Sequence, residues 1–205
     1  MTGITTANGP RQVKTELWLV RHGETEWSAS GRHTGRTDVP LTAQGRANAS
    51  GLRERLAGIA FARVLTSPLS RARETCALAG FGDRAEVVEA LREWEYGDDE
   101  GLTTAAIRSD RPGWTVWADG PRGGETAQQV GARADLIVAL ARSTEGRVLA
   151  FSHGHLSRVI GARWIGAGVA EGAHLRLEPG AICVLGWERE TPALQLWNST
   201  ARLPA

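Results

Sequence analysis

Cysteine is scarce in this chain: 2 residues, Cys76 and Cys183, in a length of 205. So few thiols supply neither a disulfide framework nor a metal-ligand spacing, and they fit a reduced, cytoplasmic setting. Lysine is scarcer still, with Lys14 the single example among 24 basic residues. That arginine bias assigns no function by itself. Charge of one sign is not in excess either, 24 Lys+Arg against 23 Asp+Glu, so bulk electrostatics point neither to nucleic acid nor to an anionic membrane. No apolar run is long enough to cross a bilayer. The stretch MTGITTANGPRQVKT (1–15) is polar, with no apolar core, which is the pattern of a loose tail and not of a signal peptide. What remains, over 16–205, has ordinary globular composition, 41% hydrophobic and 23% charged for the whole chain, and is long enough for a single domain with a substantial core.

Strand and helix patterns alternate along that stretch, with no repeats and no long linker. ELWLV (16–20) reads as a buried strand, ARVLTS (62–67) as a second and RVLAFS (147–152) as a third. Between them, Thr42 caps a helix whose apolar residues Ala49, Leu52, Leu56 and Ile59 follow three- and four-residue steps. Ser67-Pro68 reads as an N-cap with proline at the first helical position, ahead of the stripe Leu69, Ala72, Cys76 and Ala79. Cys76 is then a core residue. Thr126 and Gln129 fit a capping box opening a helix with Val130, Ala134, Ile137 and Ala141 on one face. A further helix is expected over about 155–165, and AICVLGW and ALQLW as two last strands joined by ERETP. The middle, 89–123, is irregular and rich in Gly, Asp and Trp. Strands separated by helices predict a three-layer α/β/α sandwich with a mainly parallel central sheet. Ligands of such sheets sit beyond the carboxyl ends of the strands.

Three of those ends share a layout. The first strand runs into Arg21-His22-Gly23, the second into a helix whose first turn holds Arg71, and the third into His153-Gly154-His155. In a parallel sheet all three face one edge, so two arginines and at least two histidines converge. Such a cluster repels itself unless an anion joins it. Guanidinium groups match phosphate through paired, charge-assisted hydrogen bonds, and helix N-termini after the second and third strands add donors. The expected ligand is a phosphoryl group.

The motifs carry a further resemblance. LVRHGET resembles the signature of the histidine phosphatase superfamily, also called the phosphoglycerate mutase-like proteins. TGRTDVPLTAQGRANA, TSPLSRARET, LREWEYGDDEGLT, GGETAQQV and FSHGHLSR follow in that family's order, spanning residues 17–158. EGAHLRLEPGAICVLGWE and LQLWN are similar to its small acid phosphatase and sedoheptulose bisphosphatase-like members. The resemblance implies that His22 is the nucleophile that becomes phosphohistidine, that Arg21, Arg71 and His153 clamp the phosphate, and that Glu93 is the proton donor. Thr34 and Gly35 match substrate-binding positions of the mutase branch, and Gly154 offers a backbone N–H. Ser28 departs from the asparagine many members carry, though its shorter hydroxyl still donates to oxygen. Neighbouring arginines should keep His22 unprotonated, and Glu95, Asp98 and Asp99, if close, should bias Glu93 toward the neutral acid.

The implied activity is a phosphatase hydrolysing small phosphomonoesters, sugar phosphates among them, through a phosphohistidine intermediate, with no cofactor and no metal. Partners are a small phosphorylated metabolite and neither nucleic acid nor membrane; a homo-oligomer is left open. Two alternatives stand beside it. A bisphosphoglycerate-dependent phosphoglycerate mutase would carry a longer basic insertion than residues 94–122 provide. A non-catalytic module that binds a phosphorylated ligand would not need every catalytic position filled. Arg108, Arg111 and Arg122 either recognise a second anionic group or face solvent. His155 reads as a substrate-side or supporting residue, His33 and His174 as surface or loop residues, and Trp114 and Trp117 as core or as pocket wall or lid.

Overall fold

The computed structural model describes residues 15–200; the tail expected over 1–15 lies outside the described residues apart from Thr15. In chain order the elements are β1 (Glu16–Arg21), α1 (Glu26–Ala29), α2 (Ala43–Arg55), β2 (Arg63–Thr66), α3 (Ser70–Leu78), β3 (Ala85–Val87), α4 (Thr104–Asp110), α5 (Ala127–Arg142), β4 (Arg147–Ser152), α6 (Gly154–Trp164), β5 (Ile182–Glu188) and β6 (Thr191–Ser199). One six-stranded sheet runs β3-β2-β4-β1-β5-β6. The pairs β3/β2, β2/β4 and β4/β1 are parallel, whereas β5 and β6 close one side antiparallel.

Alternation along β1 explains the layers. Successive strand side chains point to opposite faces, and all four residues Leu17 to Val20 are buried, so both faces need cover. Leu17 and Leu19 join an apolar cluster with Val130, Ala134 and Ile137 of α5 and Leu156 and Ile160 of α6. Trp18 and Val20 join a second with Leu52 of α2 and Cys76 of α3. Helices therefore cover the sheet on both sides, as the sequence predicts. Thr42 caps α2, and Thr126 and Gln129 form the capping box of α5. β3, α1 and α4 are too short, and β3 too exposed, to leave an apolar period in the sequence. Among the described residues no helix is long and apolar enough to cross a membrane.

One expected cap differs. The helix after β2 starts at Ser70, and its N-cap is Leu69 with no side-chain bond. Ser67 is engaged elsewhere: its Oγ lies 2.7 Å from His153 Nε2. The carboxylate of Asp38 takes over the cap, accepting from Ser70 N at 2.9 Å and Ser70 Oγ at 2.8 Å.

Sheet register sets the site. Arg21 lies opposite Ser152, and Thr66 opposite Phe151, so the residues that follow each strand emerge side by side. The turn after β1 then packs on α2 with no room for a side chain. A Cβ at Gly45 would lie 2.1 Å from Glu24 O, and one at Gly23 2.6 Å from Gly45 O. Gly45→Ala gains about 1 kcal/mol of helix propensity, but the overlap is with backbone that cannot rotate away. The expected outcome is a net loss of roughly 1–3 kcal/mol, read from the urea midpoint; an equal or higher midpoint would contradict this packing.

Candidate active site

His22 leaves β1 with its backbone fully engaged. Its N–H donates to Ser152 O at 2.9 Å, and Gly180 N donates to its carbonyl at 3.1 Å. Gly23 N donates to Thr75 Oγ1 at 3.0 Å, and that hydroxyl donates to Arg71 O at 2.7 Å. The nucleophile candidate and the arginine of α3 are thus tied through one threonine. The ring is buried, with His22 Nδ1 2.7 Å from Gly23 O. A carbonyl only accepts, so Nδ1 carries the proton and Nε2 keeps its lone pair. Burial first, then Arg71 and Arg21, hold the imidazole well below its ordinary pKa. The direction is the one expected from the arginines, but desolvation is the larger cause.

His153 is the N-cap residue of α6, and its ring centroid is 5.1 Å from that of His22. It too is held well below the ordinary value, by burial and then by Arg71. Arg71 is completely buried. Its terminal nitrogens donate to Thr37 O (2.9 Å), Thr34 O (3.1 Å) and Gly35 O (3.0 Å). Arg21 donates through Nη1 to Leu177 O. Five buried side-chain N or O atoms among the described residues have no hydrogen-bond partner, and three of them are Arg21 Nε, Arg71 Nε and His153 Nδ1. An unmet buried polar atom costs about 1–3 kcal/mol, so three gathered round one histidine point to an anionic ligand.

Glu93 approaches from the segment 92–95. Its carboxylate accepts from Trp94 N (2.9 Å), Leu156 N (2.8 Å) and His155 N (3.0 Å). The first turn of α6, expected to face the phosphate, therefore holds this carboxylate, and Gly154 stands between Arg21 and Glu93. A Cβ there would lie 3.4 Å from Arg21 Nε and 3.5 Å from Glu93 Oε2. The acids expected to crowd Glu93 are engaged elsewhere. Glu95 pairs with Arg36 at 2.8 Å and Asp99 with Arg111, while Asp98 flanks Gly123.

A cavity of about 240 Å³ is lined by Arg21, His22, Ser28, Thr34, Glu93 and Gly154, while Arg71 and His153 are fully buried and are not part of its lining. Three expected contributors are differently engaged. Ser28 Oγ accepts from Thr25 N (2.9 Å) and donates to Thr25 O (3.0 Å), a capping box that uses its one proton. The pattern Thr25-x-x-Ser28 carried that signal. Gly35 N donates to Glu100 Oε1 at 2.8 Å, and Gly35 lines a smaller adjoining crevice. Thr34 Oγ1 donates to Arg32 O.

The far wall was not legible. His33 is buried in this wall and is not a surface residue, with its ring 4.8 Å from Tyr96 and 5.8 Å from His155. Tyr96 Oη lies 2.6 Å from His155 Nδ1. Trp117 packs on His155 at 5.1 Å, and Trp114 edges His33 at 5.4 Å, so both tryptophans back the wall. Arg108, Arg111 and Arg122 do not line the cavity: they bond Trp114 O, Asp99 and Asp110. Arg32 and Arg158 line it instead, Arg158 lying 4.5 Å over the Trp117 ring. His174 is exposed, as expected.

Residues 17–200 match the profile described as Histidine phosphatase superfamily (branch 1). The chain is 43% identical over 188 residues to an acid phosphatase of Mycobacterium tuberculosis, covering 90% of this chain and 92% of the relative. It is 39% identical over 184 residues to the sedoheptulose 1,7-bisphosphatase of Saccharomyces cerevisiae, covering 74% and 68%. The solved structure of an open reading frame product from Mycobacterium tuberculosis superposes with a TM-score of 0.86 at 41% identity, covering 90% of this chain and 97% of that one.

Proposed function

Because the chain belongs to the histidine phosphatase superfamily (branch 1), we propose that it hydrolyses small phosphorylated metabolites through a phosphohistidine on His22. The observation that carries this reading is the buried His22 ring, its pKa held well below the ordinary value, among three unmet buried nitrogens, two of them on guanidinium groups. His22 Nε2 attacks phosphorus in line with the departing oxygen, forming the N–P bond as the P–O bond breaks. Arg21, Arg71 and His153 hold the remaining phosphoryl oxygens. Glu93 gives a proton to the leaving alkoxide. In the second half Glu93 takes a proton from water, whose oxygen attacks phosphorus, and orthophosphate leaves neutral His22 behind. Nδ1–H donates to the Gly23 carbonyl throughout, which suits the positive charge that the ring gains while phosphorylated.

The cavity size fits a metabolite, and Arg32 and Arg158 on its wall suit a second anionic group such as a sugar bisphosphate carries. The test is phosphate release from a panel of phosphomonoesters without bisphosphoglycerate. Turnover is expected under those conditions; interconversion only when bisphosphoglycerate is added, or binding with no turnover at any pH, would overturn the reading. In the same panel Arg158→Gln should lower the kcat/KM ratio of bisphosphates to p-nitrophenyl phosphate by about 10- to 100-fold, the scale of one charge-assisted hydrogen bond. An unchanged ratio would remove Arg158 from substrate selection.

A further inference from the structure

Arg133 of α5 does not line the 240 Å³ cavity and reaches Glu93 only through its backbone carbonyl, yet it makes more directed bonds than any clamp residue. Its Nε donates to Glu125 Oε1 at 2.7 Å and Nη2 to Glu125 Oε2 at 2.6 Å, a fork-on-fork pair. Its remaining donors go to three carbonyls of one short stretch: Nη1 to Ala90 O (2.9 Å) and Arg92 O (2.8 Å), and Nη2 to Glu93 O (3.2 Å). Both side chains of the pair are 15% exposed. Glu125 extends the grip, since its Oε2 accepts from Glu95 N (3.0 Å) and its own N and O bond Glu95 O and Trp94 Nε1.

The stretch so held carries Glu93 and has no regular structure of its own beyond a 3-10 turn at Glu89–Leu91. It is anchored as well by Ser152 Oγ on Leu91 O and by the Leu91 side chain in the core. As a carboxylate, Glu93 is also fixed from the front by the three N–H groups at Trp94, His155 and Leu156. Those bonds are charge-assisted, and they weaken to roughly half when the carboxylate becomes an acid. The protonated form is the one that must deliver its proton to the leaving oxygen. At that stage the position of Glu93 depends on its backbone.

We propose that Arg133, locked by Glu125, is the positioning residue for the proton donor Glu93: it fixes the backbone of 90–93 so that the protonated carboxyl stays aimed at the leaving oxygen. The inference rests on the reading of Glu93 as the acid. Lysine cannot replace the fork, because a point charge satisfies neither both carboxylate oxygens nor three carbonyls at once.

The test uses two substrates that differ in their need for an acid. Nitrophenolate leaves without a proton, whereas the alkoxide of β-glycerophosphate does not. kcat/KM reports the phosphoryl-transfer half alone, so the ratio of β-glycerophosphate to p-nitrophenyl phosphate isolates the donor. Glu93→Gln should lower that ratio by about 10²–10⁴-fold. Arg133→Ala should lower it by about 10- to 100-fold, the scale of a misplacement near 1 Å, with Arg133→Lys between it and wild type. Should Arg133→Ala show no cooperative unfolding transition, Arg133→Lys and Glu125→Gln carry the test in the same direction. Equal losses on both substrates in the Arg133 variants, with the Glu93→Gln ratio low, would make Arg133 a structural residue and overturn the inference. An unchanged ratio in Glu93→Gln would instead overturn the assignment of the acid.

Discussion

His22→Ala is expected to lower kcat on every phosphomonoester by about 10⁴–10⁶-fold, the range seen when a covalent nucleophile is removed from an otherwise intact site. The loss should fall on kcat and not on phosphate affinity. Arg21, Arg71 and His153 keep their contacts to Leu177, to the 34–37 loop and to Ser67, none of which involves the His22 ring. The backbone at 22 is held by Ser152 and Gly180, so the variant should unfold cooperatively. Steady-state kinetics with orthophosphate inhibition separate the two effects. Activity within 10²-fold of wild type, on the scale of a lost general acid or base and not of a nucleophile, would mean that the phosphoryl group passes directly to water.

Acid should destabilise the protein steeply. His22, His153 and His155 all sit well below the ordinary imidazole pKa, with burial the first cause for each and nearby arginines the next. The sign follows from proton counts. Below an unfolded pKa of about 6.5 the unfolded chain binds a proton at each site and the folded chain does not, so folded stability is complete above that pH and falls as pH drops toward the folded values. Each histidine contributes a slope of about 1.4 kcal/mol per pH unit, so the three together reach about 4 kcal/mol per pH unit. Urea midpoints from pH 7.5 to 5 should therefore fall. Orthophosphate should offset the fall, because it binds only the folded clamp. A flat profile would mean that the three rings are hydrated or already protonated. A His155→Gln variant should make the slope shallower, by up to about 1.4 kcal/mol per pH unit.

Much of this was legible in the sequence because Arg21, His22 and His153 stand at strand ends. Arg21-His22 and His153 end apolar runs, and parallel register is enough to bring such ends together. The helical periods of α2 and α5 likewise survive in the chain because each buries one face. The far wall had no such signal. His33, Tyr96 and the α6 pair His155 and Arg158 come from three separate stretches, two of them irregular, and nothing in the spacing of these residues announces an aromatic and imidazole stack. Ser67 misled for a related reason: a serine before proline reads as a cap, but its hydroxyl accepts only a 3.3 Å bond from Leu69 N and lies 2.7 Å from the ring of a histidine 86 residues away. Ser28 shows the reverse, a local cap concealed by a family motif that draws attention to phosphate.

The central claim is tested most directly by quenching the enzyme in alkali during turnover of a ³²P-labelled phosphomonoester and locating the label. The account predicts an acid-labile, alkali-stable phosphoramidate on His22 at Nε2, since Nδ1 already holds its proton against Gly23 O. No such adduct under turnover, or label on Nδ1 or on another residue, would contradict it.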